Sequence, residues 1–599
     1  MADLIRDAPL GQLIRWVTKN KYLQYPDEKP DFKLPQPWQD MLDAPNAVVD
    51  ESRKPQSSSS TAGDEGEQQQ QREKRRNQEK QQQQLQQQAS EDQGHLRRPQ
   101  SAADMQARLE ADELHRLEKS QSIPVVPRRT RDGAILVDWY YSDDAENPHN
   151  WTNAKRLLVT VVICLYTFVV YTSSAIYTSS IGGIRTQWGI GALAASLGLS
   201  LYVLGYGVGP LVFSPLSEIP RIGRSPVYAV TMLLYVAISI PTAFAPNFPG
   251  LVVLRFLQGF FGSPSLASGG ASLGDMYSLM ALPYAMVAWV SAAYCGPALG
   301  PLLSGFSVPA KNWRWSLYES VWASGPIFLT MFVALPETSG PTILLRRARR
   351  LRKLTGDDRF MSQSEIDQHN MTASSVALDA LVKPMEITVK DPAVLFVQIY
   401  TAIIYGIYYS FFEVFPLVYP VDYHMNLGQV GLVFLCILVS CIIGVAVYCS
   451  YLYFYVDPRV AKFGLPVQES RLLPALPAAF GPTIGLFLFA WTARASIHWI
   501  VPTIGITIYG ATSFVIMQCI FIYVPLSYPQ YAASLFAAND FFRSALACVS
   551  ILFAHPLFGN LGVARGTSLL GGLSVIGIIG IWLLYYYGAK LRARSKFAI

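Results

Sequence analysis

Leu157-LVTVVICLYTFVVYTSSAI-Tyr177 is a run of 21 residues without one charged side chain. An α-helix rises about 1.5 Å per residue, so a run of this length reaches about 30 Å, the thickness of a bilayer's hydrocarbon core. One such run could anchor a soluble protein, but this one opens a series. Five further candidates follow at 192–216, 227–245, 250–274, 283–306 and 316–335. A polar stretch from Pro336 to Asp391 interrupts them, and six more come after it, at 393–418, 428–454, 473–492, 497–524, 531–555 and 567–588. The pattern predicts an all-α integral membrane protein with twelve transmembrane helices: six spans, a hydrophilic hinge, six spans.

The composition of the whole 599-residue chain agrees: 51% of residues are hydrophobic and 15% charged, against about 25% charged in an ordinary soluble domain. Residues 1–155 stand apart as a polar head, followed by spans in 156–335, a central loop in 336–391, spans in 392–588 and a tail in 589–599. The head has room for one short amphipathic helix between Met1 and Pro37. From Ser52 to Arg98 it is rich in Gln, Ser, Glu and Arg, too polar to offset the entropy of ordering, and disorder is expected there. Leu10 to Val17 is too broken for a signal-peptide core. Glycines and prolines recur inside the spans, as at Gly205, Gly207, Gly209 and Pro210, where they allow close approach and bending of helices in lipid.

Charge placement gives an orientation. Lys155, Arg156, Arg221, Arg224, the cluster from Arg346 to Lys353, Arg459, Lys462, Arg471 and the tail residues Lys590, Arg592, Arg594 and Lys596 fall on one side of the alternating spans. Few basic residues fall on the other. By the positive-inside rule both termini are expected in the cytoplasm. The net charge of +6 is carried beside apolar spans and does not read as a nucleic-acid footprint. The seven cysteines lie in apolar runs, without metal-like spacing. No GxxxxGK[ST] loop, HExxH, dinucleotide fingerprint or nucleophile elbow with partners is present, which argues against an enzyme and against direct ATP hydrolysis. Uphill transport would then draw on an ion gradient, worth about 2.3 kcal/mol per charge per 100 mV, or roughly fifty-fold accumulation.

Five features could carry chemistry. Gly209 to Pro226 spans the loop between the second and third spans, where Glu218 faces Arg221 and Arg224; charge-assisted pairing could latch two helices, or the arginines could only set topology. Arg255 lies inside the fourth span, where a charge costs at least about 2.5–3.5 kcal/mol and needs an interior partner, unless it snorkels to an interface. Gly296-Pro297-Ala298-Leu299-Gly300-Pro301 predicts a kinked, closely packed stretch of the fifth span. Glu413 in the seventh span is a candidate proton carrier, since desolvation favours the neutral carboxyl. Asp540 and Arg543 share a helix face at i and i+3 near the start of the eleventh span, and read as a local pair at the cytoplasmic end. Aromatic residues are dense, and Tyr171, Tyr202, Tyr294, Tyr409 and Phe412 are candidates for lining a cavity.

These residues resemble the major facilitator superfamily, and within it the fungal twelve-span drug:proton antiporters of the fluconazole-, benomyl- and cycloheximide-resistance type. Leu254 to Gly259 is similar to that family's arginine motif, Gly209 to Pro226 to its loop motif, and Gly296 to Pro301 to its antiporter motif. Pro336-Glu337-Thr338-Ser339-Gly340-Pro341, Asn147 to Trp151, Ala537 to Arg543 and Leu591 to Ala598 also fit, so the likeness covers nearly everything from Asp138 onward. The loop motif departs from the family at Arg221-Ile222-Gly223-Arg224, its counterpart around Asp457-Pro458-Arg459 is degenerate, and the first span has no carboxylate. The resemblance implies two six-helix bundles around a central cavity, a plasma-membrane location and proton exchange without a bound cofactor.

The sequence therefore predicts a monomeric, proton-driven exporter of amphipathic small molecules, with lipid, protons and substrate as its partners and no metal. Arg255 and Glu413 would couple protonation to substrate. Gly209, Glu218, Arg221, Arg224, Asp540 and Arg543 would bias the conformational states, and Gly296, Pro297, Gly300 and Pro301 would limit proton leak. A facilitator or importer of polyamines or nutrients, or a membrane sensor acting through its head, would share much of this pattern.

Overall fold

A computed structural model describes residues 2–43, 122–130, 133–368, 382, 384–464, 467–528, 531–595 and 597. The Gln-rich stretch expected to be disordered lies outside the described residues. Ten stretches among them are helical for 18 residues or more and apolar enough to cross a membrane. The difference from the expected twelve has two local causes. The fourth expected span is broken at Ser263 into helices Phe248–Gly262 and Pro264–Gly274, each too short to count alone. The eleventh and twelfth run together as one helical stretch, Ala532–Arg594, whose backbone leaves helical geometry at Gly562 (φ 76°).

Numbered in chain order as expected from the sequence, the segments pack in two groups. The first segment, Asn153–Ala175, packs on the fifth, Leu282–Ala310, and the sixth, Trp315–Ala334. The second, Leu197–Glu218, packs on both halves of the fourth, and the third, Arg224–Ala243, on the fourth and sixth. In the second group the seventh, Pro392–Tyr423, lies along the eleventh–twelfth stretch, and the tenth, Ile500–Ser527, receives the eighth, Leu427–Val433 with Leu435–Tyr451, and the ninth, Phe480–Thr492. The groups meet where the second segment touches the eleventh and the fifth touches the eighth.

Glycines set these contacts. A Cβ on Gly205 would stand 2.3 Å from the Phe256 carbonyl, and one on Gly259 2.2 Å from that of Tyr202. The second and fourth segments thus touch backbone to backbone. In lipid, where apolar burial drives no helix association, such close packing is what holds helices together.

The described parts of the head do not float free. Tyr25, Asp27, Trp38, Tyr140 and Asp144 fold onto the central-loop helix Gly340–Thr355. A three-stranded sheet, not suggested by the sequence, pairs Arg128–Arg129 with Ile135–Leu136 and the latter with Phe360–Met361. Trp38, Ile135, Val137, Tyr140, Leu351 and Phe360 form its small core. The arginines that sequence analysis read as topology markers are structural here. Arg347 pairs with Asp144 at 2.6 Å and Glu146 at 3.3 Å, and Arg350 with Asp27 and Glu146, both at 2.8 Å. The Arg350 guanidinium also lies 3.9 Å over the Tyr25 ring. We call the end bearing this cap the basic end.

Candidate functional site

The seam between the two groups holds a narrow, partly open cleft. Each wall follows from helix periodicity, because residues three or four apart share a face. The seventh segment contributes Ile404, Tyr405 and Tyr408, the fifth Trp289, Ala293 and Tyr294, and the eleventh Phe536, Asn539 and Arg543. Tyr171 of the first segment and Phe521 of the tenth complete the aromatic lining. The wall is mostly apolar with a few convergent polar groups, which is the usual make-up of a small-molecule site.

Tyrosine hydroxyls stitch the seam. Tyr206 on the second segment lies 2.7 Å from the Tyr405 hydroxyl and donates to that of Tyr409 at 3.0 Å. Ser174 Oγ on the first segment lies 3.1 Å from the same Tyr409 hydroxyl. Arg543 Nη2 donates to the Tyr171 hydroxyl at 3.1 Å and pairs with Asp540. Its guanidinium also sits 4.6 Å from the centre of the Tyr405 ring. Asp540 Oδ2 and Arg543 Nε meet no hydrogen-bond partner among the described residues.

The expected cytoplasmic position of Asp540 and Arg543 is corrected by this geometry. Asp540 lies about 12 Å along the helix axis from its start at Ala532, and both residues are buried beside the cleft. Of the five aromatic candidates, Tyr171 and Tyr294 line the cleft and Tyr409 ties its hydroxyl network. Tyr202 and Phe412 do not line it. The Tyr202 hydroxyl donates to the Val170 carbonyl at 2.8 Å inside the first group, and Phe412 stacks on Phe434 with ring centres 5.1 Å apart.

Arg255 is wholly buried. Snorkelling is thereby excluded, and no carboxylate among the described residues pairs with it. Its guanidinium donates to the carbonyls of Gly198 (3.0 Å), Ser173 (2.9 Å) and Ser174 (3.1 Å) and to Gln258 Oε1 (3.1 Å), with the Tyr202 ring 4.2 Å away. The first segment's α-helix ends at Ala175 and continues as a 3-10 turn, Ile176–Ser180. The last carbonyls of an α-helix lack regular donors, and Arg255 caps two of them. One side chain thus fastens the first, second and fourth segments.

Glu413 faces the opposite group. Its Oε1 accepts from Ser196 Oγ at 2.9 Å, at the start of the second segment. No basic side chain among the described residues pairs with it. Arg255 and Glu413 do not touch, yet they share neighbours. Arg255 holds the carbonyls of Gly198 and Ser174, whereas Glu413 holds Ser196, and Tyr409, one turn before Glu413, holds Ser174.

The expected latch is rebuilt. Glu218 and Arg221 are exposed and form no ion pair among the described residues. Arg224 pairs instead with Asp275 at 2.9 Å, just past the fourth segment. Glu337 accepts from the backbone N–H groups of Arg224 (3.1 Å) and Ser225 (3.3 Å), and Arg346 Nη2 stands 3.8 Å from it. Gly223 makes this possible: its φ is 83°, and a Cβ there would be 2.3 Å from Glu337 Oε2. Gly209 belongs to helix packing, since a Cβ would fall 2.0 Å from Ser263 Oγ at the break of the fourth segment.

The expected kink at Gly296 to Pro301 leaves helix Leu282–Ala310 unbroken despite Pro297 and Pro301. A Cβ on Gly296 would lie 2.9 Å from the Phe168 carbonyl, and one on Gly300 2.6 Å from Ile176 N, so this stretch is pressed against the first segment. On its far side, a Cβ on Gly431 of the eighth segment would lie 2.7 Å from the Pro301 carbonyl. The motif is therefore wedged between its own group and the other.

Comparison with known proteins agrees with this architecture. The profile of the Major Facilitator Superfamily matches residues 163–551. The MFS-type transporter pyvG of Aspergillus violaceofuscus is 47% identical over 79% of this chain and 87% of its own length. The cycloheximide resistance protein of Candida maltosa is 35% identical over 100% of both chains. Fluconazole resistance protein 1 of Saccharomyces cerevisiae is 39% identical over 77% of this chain and 84% of its own. Among solved structures, the proton:xylose symporter XylE superimposes with a TM-score of 0.52 at 12% identity, covering 73% of this chain and 96% of that one, and shows a shared fold. A membrane chain of two packed helical groups around an aromatic cleft, matched by that profile over most of its spans, belongs to the major facilitator superfamily, among the fungal transporters that include these drug-resistance proteins.

Proposed function

We propose that the protein exports amphipathic, partly aromatic small molecules across the plasma membrane in exchange for protons, as a monomer with twelve crossings and both termini in the cytoplasm. The observation that carries this reading is the cleft at the seam: tyrosine faces for a planar ligand, and a polar corner at Asn539, Asp540 and Arg543 to orient it. The names of relatives conferring cycloheximide and fluconazole resistance support drugs or self-made toxins as the substrate class.

Glu413 supplies a switch in this scheme. Ionised, it accepts the Ser196 hydroxyl across the seam; protonated, it is a weaker acceptor and the contact loosens. Arg255 transmits the change because it grips the backbone at Gly198, two residues past Ser196, and at Ser174, whose hydroxyl meets that of Tyr409. At the basic end the Tyr284 hydroxyl donates to Asp457 at 2.7 Å, a second cross-seam contact, made here together with the Ser196–Glu413 one, that has to break before the seam can part on that side. Gly296 to Pro301 keeps the wall between these states dry by backbone contact.

The test is uptake of a fluorescent amphipathic substrate into inside-out vesicles under a preset pH gradient. Dissipating the gradient should abolish accumulation. Glu413→Gln should lose gradient-driven uptake while retaining substrate exchange at equilibrium. Full accumulation by Glu413→Gln would remove the residue's role.

A further inference from the structure

The helix Pro9–Val17 is built inside out. Its protein-facing side is small or polar: Gly11 and Arg15 are buried, and Arg15 grips Glu28 through two nitrogens, each at 2.7 Å. Leu13, Trp16 and Val17, at i, i+3 and i+4, share the opposite side and are 47%, 79% and 66% exposed. A helix lying on a soluble surface would bury that stripe. Tyr22 beyond its end is 67% exposed, with exposed Lys19 and Lys21 beside it.

Where the helix sits determines what covers the stripe. It packs against the third and sixth segments, which present Val230, Leu329 and Val333 outward. Asp7, in the turn before it, stands 3.8 Å from Lys155 Nζ at the start of the first segment. The helix is thus tethered where three membrane segments leave the bilayer. The phase beside it at that level is the headgroup layer and the first carbons of the acyl chains. Trp and Tyr favour that depth, and lysines there are drawn to anionic headgroups.

We propose that Pro9–Val17 is an interfacial helix, with Leu13, Trp16 and Val17 among acyl chains of the basic-end leaflet and Lys19 and Lys21 on anionic headgroups. The apolar stripe continues the lipid-facing surface of the two segments it abuts, which favours lipid over a protein partner. The N-terminal segment thereby becomes a float that holds the cap at the membrane surface.

The test uses the full chain in vesicles of phosphatidylcholine, with and without phosphatidylserine. Nitroxide labels are placed at Leu13→Cys, Val17→Cys and, as a water-facing control on the same segment, Lys33→Cys. Signal from the native cysteines is subtracted using unsubstituted protein. All three positions point away from the protein or are partly exposed, so folding is not at stake. The accessibility ratio of oxygen to a water-soluble nickel complex should be several-fold higher at positions 13 and 17 than at 33, and phosphatidylserine should raise it further. Free access of the nickel complex to position 13 would overturn the proposal. Equal exclusion of both reagents there would also overturn it, because it would indicate a protein contact. No response to phosphatidylserine would overturn the headgroup part alone.

Discussion

Replacing Arg255 with alanine should unfasten the first group of helices before it alters any chemistry. The guanidinium satisfies the carbonyls of Gly198, Ser173 and Ser174, all buried with it. Each buried acceptor left without a donor costs about 1–3 kcal/mol. Gly198 keeps its intrahelical donor near the start of the second segment, so the two helix-end carbonyls, Ser173 and Ser174, set a loss of roughly 2–6 kcal/mol, before counting the void beside the Tyr202 ring and with some relief if water enters. Arg255→Lys keeps the charge but replaces a planar fork with a single ammonium, which cannot span carbonyls on two segments at once. It should fall between alanine and wild type. The protein carries its own reporter: Cys436, Cys441, Cys519 and Cys548 are buried and free, so a thiol-reactive coumarin gains fluorescence at them as the fold opens, above a baseline set by the partly exposed Cys164, Cys295 and Cys449. Thermal ramps of purified wild type, Arg255→Lys and Arg255→Ala should melt in descending order. If Arg255→Ala melted within a degree or two of wild type, the fastening argument would be wrong. A stable Arg255→Ala with intact transport would also remove its place in coupling.

Three further outcomes follow from the geometry. Gly223→Ala forces a side chain into backbone geometry that glycine alone adopts, worth about 1–3 kcal/mol, and thrusts a Cβ toward Glu337; it should slow transport and raise proteolysis of the loop after the sixth segment, and unchanged cleavage would refute this. Asp540→Asn leaves Arg543 buried without its counter-charge, at about 3–5 kcal/mol, whereas Asp540→Asn with Arg543→Gln should recover much of that loss; equal melting of single and double variants would show the pair is not coupled. In the cap, burial pushes the Asp144 carboxyl up, but the Arg347 ion pair and the backbone N–H groups of Glu146 and Tyr140 outweigh it and hold it below its ordinary value of 3.8. A depressed folded value means that its stabilisation is complete above pH 4 or so and is lost as pH falls through the folded value. Asp27 is shifted upward by burial despite Arg350, which runs against the trend, and with the Asp144–Arg347 pair in place limited proteolysis should release the head only in strong acid. Release between pH 5 and 6 would contradict the assignment.

The membrane pattern was legible because a run such as Leu157 to Tyr177 has no stable solution in water. Arg255 was legible for the same reason, since an arginine inside a span demands partners. Their nature was not, because backbone carbonyls freed by a change of helix pitch leave no trace in side-chain identity. Asp275 and Glu337 escaped as partners of the second loop because they lie 51 and 113 positions from Arg224, and only the fold brings them to it. Asp540 and Arg543 were readable as a pair by their spacing, and their helix starts within a residue of where it was expected, but that its first turns face the cleft is decided by packing against the other group. Tyr405 and Tyr408 were visible only as members of an aromatic-rich run; which hydroxyls meet across the seam is decided by how two distant segments are rotated.

The cap and the tail are moored to different halves of the molecule. Through Arg347, Arg350 and the helix Pro9–Val17 the amino-terminal segment follows the first six segments, whereas Arg592 and Glu469, paired at 2.7 Å, bind the carboxyl terminus to the last six. Dyes attached near residue 33 and residue 595 would therefore form a ruler between two bodies. Energy transfer between them would read the tilt of one half against the other during turnover, without a probe ever entering the cleft.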